Sequence, residues 1–166
     1  MKKLFLLILI LSLIPTSIFS QEISEYTTVQ TAVASVKIPG NWTVIKTEDI
    51  SGQTFLKDKE GVIIAIAQNP KKNYSFFKNE NSDFENVWEF YKWDSDYRAE
   101  IGAKVSKIKE NSELKYVIWK YKENKLDNIF LFGSSKENFL NFLLYTNLWS
   151  ESLQVKFLEN LYKINK

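Results

Sequence analysis

Residues 33–67 read VASVKIPGNWTVIKTEDISGQTFLKDKEGVIIAIA, and the fold turns on this stretch. Ile38-Pro39-Gly40-Asn41-Trp42 separates two alternating apolar runs, 33–38 and 42–45. Proline cannot donate to a strand ladder and glycine permits a tight bend, so the stretch predicts strand, corner, strand, with Trp42 capping the core at the corner. Residues 49–52 read as a turn. The run 53–56 then pairs with 62–67 as a hairpin, with Gly61 at the turn position that tolerates positive φ. Val62, Ile64 and Ile66 face one way, and Ile63, Ala65 and Ala67 the other. A strand apolar on both faces is covered on both faces. The smaller residues of the second face leave room for a helix to sit close.

Upstream, Lys2-Lys3, an apolar run over 4–14, Pro15 and small residues at Ser17 and Ser20 form the pattern of a secretory signal peptide. The apolar run is about half of the roughly 20 residues that a spanning helix needs. Cleavage is expected after Ser20, giving a secreted or periplasmic protein with no stable membrane insertion. Residues 21–30 are polar and read as a flexible lead-in, and 31–166 as a single α+β domain.

Downstream, Asn69-Pro70 closes the first unit and 71–81 reads as a polar loop interrupted by Phe76-Phe77. Ser82-Asp83-Phe84-Glu85 is a capping-box pattern, in which serine and glutamate satisfy each other's orphan backbone donors. A helix is expected over about 83–98, with Phe84, Val87, Trp88 and Tyr91 on its inner face at i, i+3, i+4, i+7. Strands follow at 104–110, 114–121, 129–132 and 139–145, the last three as a meander with a turn over 123–127. A second helix starts near Ser150, with Leu153, Phe157, Leu161 and Ile164 on one face. Strands grouped this way, with two apolar faces, predict an antiparallel sheet of about six to eight strands with helices on both faces, a three-layer sandwich.

Composition narrows the chemistry. The 166 residues carry 22 Lys+Arg against 20 Asp+Glu. Loss of the leader removes Lys2 and Lys3, so the 146-residue remainder is neutral. A neutral chain lacks the clustered positive field of a nucleic-acid binder. There is no cysteine and no histidine. Zinc sites of the usual ligand set and Ser-His or Cys-His nucleophilic machinery are thereby excluded. No cofactor or metal is expected, and any catalysis would fall to carboxylates, lysine or tyrosine.

The order of elements resembles the PsbP-like fold. The resemblance rests on Ile38-Pro39-x-x-Trp42, Asp58-x-x-Gly61 before an apolar strand, the mid-chain helix, the meander, and a terminal helix ending Phe157-Leu158-x-x-Leu161-Tyr162-Lys163. It covers roughly residues 28–166. That fold includes the extrinsic PsbP subunit of photosystem II, a nuclear-transport factor that binds the GTPase Ran, and exported bacterial DcrB-like proteins. It implies a non-enzymatic accessory or binding role with another envelope or secreted protein as partner. The bacterial members are often lipoproteins, and this chain lacks the cysteine for that. No functional residue is carried over.

The candidate binding residues are Phe90, Trp93 and Tyr97, at i, i+3, i+7 on the middle helix. A step of roughly 100° per residue puts this stripe almost opposite the inner one, with Glu85, Glu89, Lys92 and Asp96 on a flank between them. An aromatic stripe in water can bind a partner or stack on a sugar or other flat ligand. Equally, the helix ends or bends near Trp93, or the 71–81 loop covers the stripe. Acidic residues gather around this helix and lysines after it (Lys104, Lys107, Lys109, Lys115, Lys120, Lys122, Lys125), which suggests two charged sides, either solvated or steering a partner. Asp94-Ser95-Asp96 is half of a calcium-loop pattern without its glycine and terminal glutamate. A carboxylate-based hydrolase would need an acidic pair across a cleft, and the sequence singles out none. Asn41-Trp42-Thr43 and Asn73-Tyr74-Ser75 are glycosylation sequons, relevant only in a eukaryotic secretory pathway.

Overall fold

The computed structural model describes residues 25–123 and 126–166. The leader over 1–20, the start of the lead-in at 21–24 and the Asn124-Lys125 tip lie outside the described residues. Among the described residues, nine strands and two α-helices follow in order. They are β1 (Tyr26–Gln30), β2 (Ser35–Pro39), β3 (Thr43–Thr47), β4 (Thr54–Lys57), β5 (Ile63–Pro70), α1 (Asp83–Glu100), β6 (Lys104–Asn111), β7 (Tyr116–Glu123), β8 (Leu126–Ser135), β9 (Asn138–Tyr145) and α2 (Glu151–Asn165). β3 to β9 form one antiparallel sheet in the order β3-β4-β5-β9-β8-β7-β6. β1 and β2 form a separate two-stranded sheet. The fold is therefore α+β, as the strand and helix patterning predicts.

The Pro39-Gly40 corner does more than turn the chain: it moves it from one sheet to the other. Gly40 takes φ +92°, a left-handed conformation that side chains resist. Trp42 Nε1 donates to the Pro39 carbonyl at 2.8 Å, which seats the indole against the corner. Thr27 fastens β1 to the same place, since its hydroxyl donates to the Gly40 carbonyl and accepts from the Trp42 amide. Residues 26–30 are thus a strand and not a flexible lead-in. Their polar sequence hides the pattern, because only Val29 contributes an apolar side chain to the core.

The β4–β5 hairpin forms as its sequence implies. Lys57 pairs with Ile63, Gly61 has φ +97°, and Asp58 Oδ1 accepts from the amides of Glu60 and Val62. The meander is longer than expected, running from β6 to β9. Its last strand lies against β5 along eight paired residues, so β5–β9 is the seam joining the two halves of the sheet.

Each face of that sheet carries a helix. On one face, Val62, Ile64, Ile66, Tyr116, Ile118, Leu140, Phe142 and Leu144 meet Leu158, Leu161 and Tyr162 of α2, together with Val36, Ile38 and Trp42. α2 is rotated from its sequence-based face: Leu153 and Ile164 are exposed, and Gln154, Leu158, Leu161 and Tyr162 point inward. The Tyr162 hydroxyl has the carbonyls of Ser134 (2.8 Å) and Leu114 (2.7 Å) as acceptors for its one proton, which draws that side chain to the sheet. On the other face, Val117, Trp119, Phe130 and Phe132 meet Val87 and Phe90 of α1. Phe90 stacks on Phe132 with ring centroids 4.0 Å apart, and Trp119 on Phe130 at 4.7 Å.

Among the described residues, no helix is long and apolar enough to cross a membrane.

Candidate functional site

α1 begins at a complete capping box: Ser82 Oγ accepts from the Glu85 amide, and Glu85 Oε2 accepts from the Ser82 amide. It then runs unbroken to Glu100, so neither an early end nor a bend removes Trp93 and Tyr97. The helix presents a third face to the sheet, between the two aromatic stripes. Val87 and Phe90 are buried along it, and the Asp94 side chain is largely enclosed. The expected inner stripe splays toward β6 and β7, where Trp88 receives the Lys107 ammonium over its ring and Tyr91 meets Trp119 edge-on. The other stripe splays the opposite way.

Of the three candidate residues, Phe90 is buried (2% exposed), which corrects the expectation of a wholly solvent-facing stripe. Trp93 and Tyr97 are 53% and 54% exposed. All three nevertheless line one groove of about 590 Å³. It exists because α1 lies over β6, β7 and β8 and leaves the β5–β9 part of this face without a helix. Ala65 and Ala67, expected to admit a close helix, instead pair with Leu143 and Asn141 at the edge of the groove floor.

Trp93 is held in place. Tyr74, Phe76 and Phe90 lie with ring centroids 6.2, 5.6 and 6.2 Å from it. The 71–81 loop, carrying Tyr74 and Phe76, therefore buttresses the indole without covering it. Across the groove stand Ile50, Ser51, Gln53 and Asn69. Asn69 Nδ2 donates to the Ser51 carbonyl and to the Tyr74 hydroxyl, both at 3.1 Å, so it fixes the opposite rim to the loop.

The polar atoms of the groove form a mixed set. Asn141 Oδ1 on the floor is buried with no hydrogen-bond partner. Reversing the amide would leave its nitrogen in the same position, so an unpaired polar end remains either way. Asp94 Oδ1 accepts from Arg98 Nε at 3.3 Å. Burial raises the Asp94 carboxyl above the usual range, against the opposing pull of Arg98. The Tyr145 phenol is pushed up to about 12, by burial first and then by Tyr121, so it remains a neutral donor.

No family model matches this chain, and no curated protein does.

The other motifs fall elsewhere. Asp94-Ser95-Asp96 lies within α1, where consecutive side chains diverge; Ser95 is buried and donates to the Lys92 carbonyl. Among the described residues, no cluster of three acidic side chains is placed to hold a metal ion. Of the acidic residues around α1, Asp83 is the one that pairs with a lysine of the following segment among the described residues; the other paired lysines of that segment find acids elsewhere. Lys109 binds Glu159, Lys115 binds Asp83, Lys107 binds Glu110, and Lys120 binds both Glu151 and Asp127.

Sequence reasoning missed Asn141, Tyr145 and Asn69 as groove residues. Asn141 did leave a trace. It is the one polar position within Phe139-Leu140-Asn141-Phe142-Leu143-Leu144, and it falls on the face shared with Leu143 and Phe139.

Proposed function

We propose that this protein is a non-catalytic binding module whose working surface is the groove between α1 and the β5–β9 seam. Its ligand is small and amphipathic, with a flat face that lies against Trp93 and Tyr97. One observation carries the reading: a half-exposed tryptophan, braced from behind by three rings, stands over a floor that holds an unpaired buried amide. A pre-positioned aromatic surface with a few convergent polar groups is the usual make-up of a ligand pocket, and about 590 Å³ is in the range such pockets occupy. Binding is favoured over hydrolysis because the lining contains one carboxylate, Asp94, already paired with Arg98. Acid–base hydrolysis of a glycoside needs two.

The test is a thermal-shift screen of small amphipathic compounds, with hits re-measured on Trp93→Ala and Tyr97→Ala. Loss of affinity by about tenfold or more in either variant is the expected result, each tenfold being about 1.4 kcal/mol. Hits that bind both variants as tightly as the parent place the site elsewhere.

The leader over 1–20 supports export, with Gln21 as the mature amino terminus; sequencing of the exported protein checks this. A helix on each face of an antiparallel sheet supports a PsbP-like architecture, which by itself names no ligand.

A second reading, an accessory protein acting through protein–protein contact, has its own surface. β3 is an edge strand exposed at all five positions, including Val44 and Ile45. An exposed edge accepts an extended partner segment by strand addition. If that contact operates, Val44→Lys with Ile45→Lys abolishes capture of an envelope partner and leaves groove binding intact. Capture that survives the double change removes this reading.

A further inference from the structure

We infer that the ligand of the groove is a short neutral oligosaccharide, its apolar ring faces on Trp93 and Tyr97 and its hydroxyls on Asn141, Tyr145 and the Asp94–Arg98 pair. This rests on the ligand-binding reading above and specifies the chemistry of the same site.

Charge is the first constraint. Asp94 and Arg98 both line the groove and neutralise each other across 3.3 Å. An anion would meet the Asp94 carboxylate and a cation the Arg98 guanidinium, so the site suits a ligand without net charge. Hydrogen bonding is the second. Asn141 offers a buried unpaired acceptor, Tyr145 a neutral phenol, and the ion pair both an acceptor and a donor. The Asn141 oxygen is already withdrawn from water and unpaired, so a ligand group that donates to it gains a bond at no cost in lost hydration, which an apolar ligand cannot do. A hydroxyl both donates and accepts, so a polyhydroxylated ligand can satisfy the whole set.

The two walls differ, and that is the third constraint. Trp93 and Tyr97 stand on the helix wall. Across from them Ser51, Gln53 and Asn69 bring hydroxyl and amide groups, with Ile50 the one apolar side chain on that rim. A heteroaromatic plate such as a nucleobase has two apolar faces and is best held between two rings. A pyranose has an apolar C–H face and a rim of hydroxyls, which matches one aromatic wall and one polar wall. Spacing is the fourth. Trp93 and Tyr97 are four residues apart on one helix, about 6 Å along its axis, close to the length of one sugar residue. Successive rings of a chain can then rest on successive side chains, so an oligosaccharide fits better than a monosaccharide.

The experiment titrates the purified protein with cello-, chito-, xylo-, malto- and laminari-tetraose, following tryptophan fluorescence and calorimetric heat. Adenosine and 8-anilinonaphthalene-1-sulfonate serve as the flat, non-saccharide probes. At least one tetrasaccharide is expected to bind, with affinity lost by about tenfold or more in Trp93→Ala and in Asn141→Leu, and partly retained in Trp93→Phe. Circular dichroism of each variant establishes that it is folded, and Trp88→Phe, on the other stripe, should bind like the parent. If only adenosine or the naphthalene probe binds, and does so through Trp93, the saccharide inference falls and the groove stands. If no probe shows binding sensitive to Trp93, both fall.

Discussion

Gly133 in β8 has no room for a methyl group. A Cβ built there would lie 2.2 Å from the Tyr162 ring, which rests on the glycine while its hydroxyl bonds the neighbouring Ser134 carbonyl. Tyr162 is fully buried and cannot withdraw without breaking those bonds. Gly133→Ala should therefore destabilise the protein by about 3 kcal/mol, the upper end for overpacking a core. Combined with Tyr162→Leu, the loss should be smaller than the sum of the two single losses, because both changes act on one contact. Urea unfolding of the four proteins measures this, and additive losses would show that the contact does not constrain Gly133. The same pair explains why α2 is rotated from its sequence-based face. Counting apolar residues favoured Leu153 and Ile164, whereas Tyr162 has both a partner surface and hydrogen-bond acceptors waiting on the sheet.

At the level of the element, α1 depends on its first turn. Ser82→Ala removes the acceptor for the Glu85 amide and leaves only the other half of the box, the bond from the residue-82 amide to Glu85 Oε2, at a cost of about 1 kcal/mol. Because the helix carries Trp93 and Tyr97, amide exchange should quicken over its first turn first, and an unchanged exchange pattern would mean the box adds nothing. The capping box was legible in four letters because it is a local device. So were the Gly61 turn and the apolar run that starts β5, although β5 continues through Asn69-Pro70, expected to close the unit, because it pairs with the distant β9. β1 was not legible, since its strand character comes from pairing with β2 and from Thr27 reaching the Pro39-Gly40 corner. The facing of α1 was half legible. Two aromatic stripes were correctly separated, but the buried line lies between them through Val87, Phe90 and Asp94, and an aspartate does not announce itself as a core position. Phe90, which periodicity places on the solvent stripe, lies on that buried line. The groove was illegible for a related reason. It depends on where α1 lies across the sheet, and local periodicity carries no record of which strands a helix covers.

Taken whole, the molecule sets carboxylates of opposite behaviour against each other. Burial pushes Asp83 up, but hydrogen bonds from Lys115 and Lys71 together outweigh it and hold the carboxyl below its usual range. Glu159 behaves alike: burial raises it, and Lys109 with Tyr116 lowers it further than burial can offset. Each has a folded-state pKa below its unfolded one. Their stabilisation is present above the unfolded value, about 4, and is lost as pH falls through the folded value. Asp94 has the reverse sign. Its folded pKa is raised, so the folded state retains a proton that the unfolded state has released, and its stabilisation declines as pH rises from the unfolded to the folded value. Arg98 pairs with it, and the Tyr74 and Tyr121 phenols, both raised above their usual range by burial first, also feel its charge. On acidification from neutral pH, stability should therefore first gain from Asp94 and then fall as Asp83 and Glu159 take up protons. Asp94→Asn removes the first phase and keeps the second. Urea midpoints measured at intervals from pH 7 to pH 3 separate the two, and a variant profile parallel to the parent's would show that Asp94 does not titrate differently on folding. The groove would feel the same proton: neutralising Asp94 frees the Arg98 guanidinium to act as an uncompensated donor, so a ligand held by hydroxyl groups should change its affinity over the window in which the parent, but not Asp94→Asn, changes its stability.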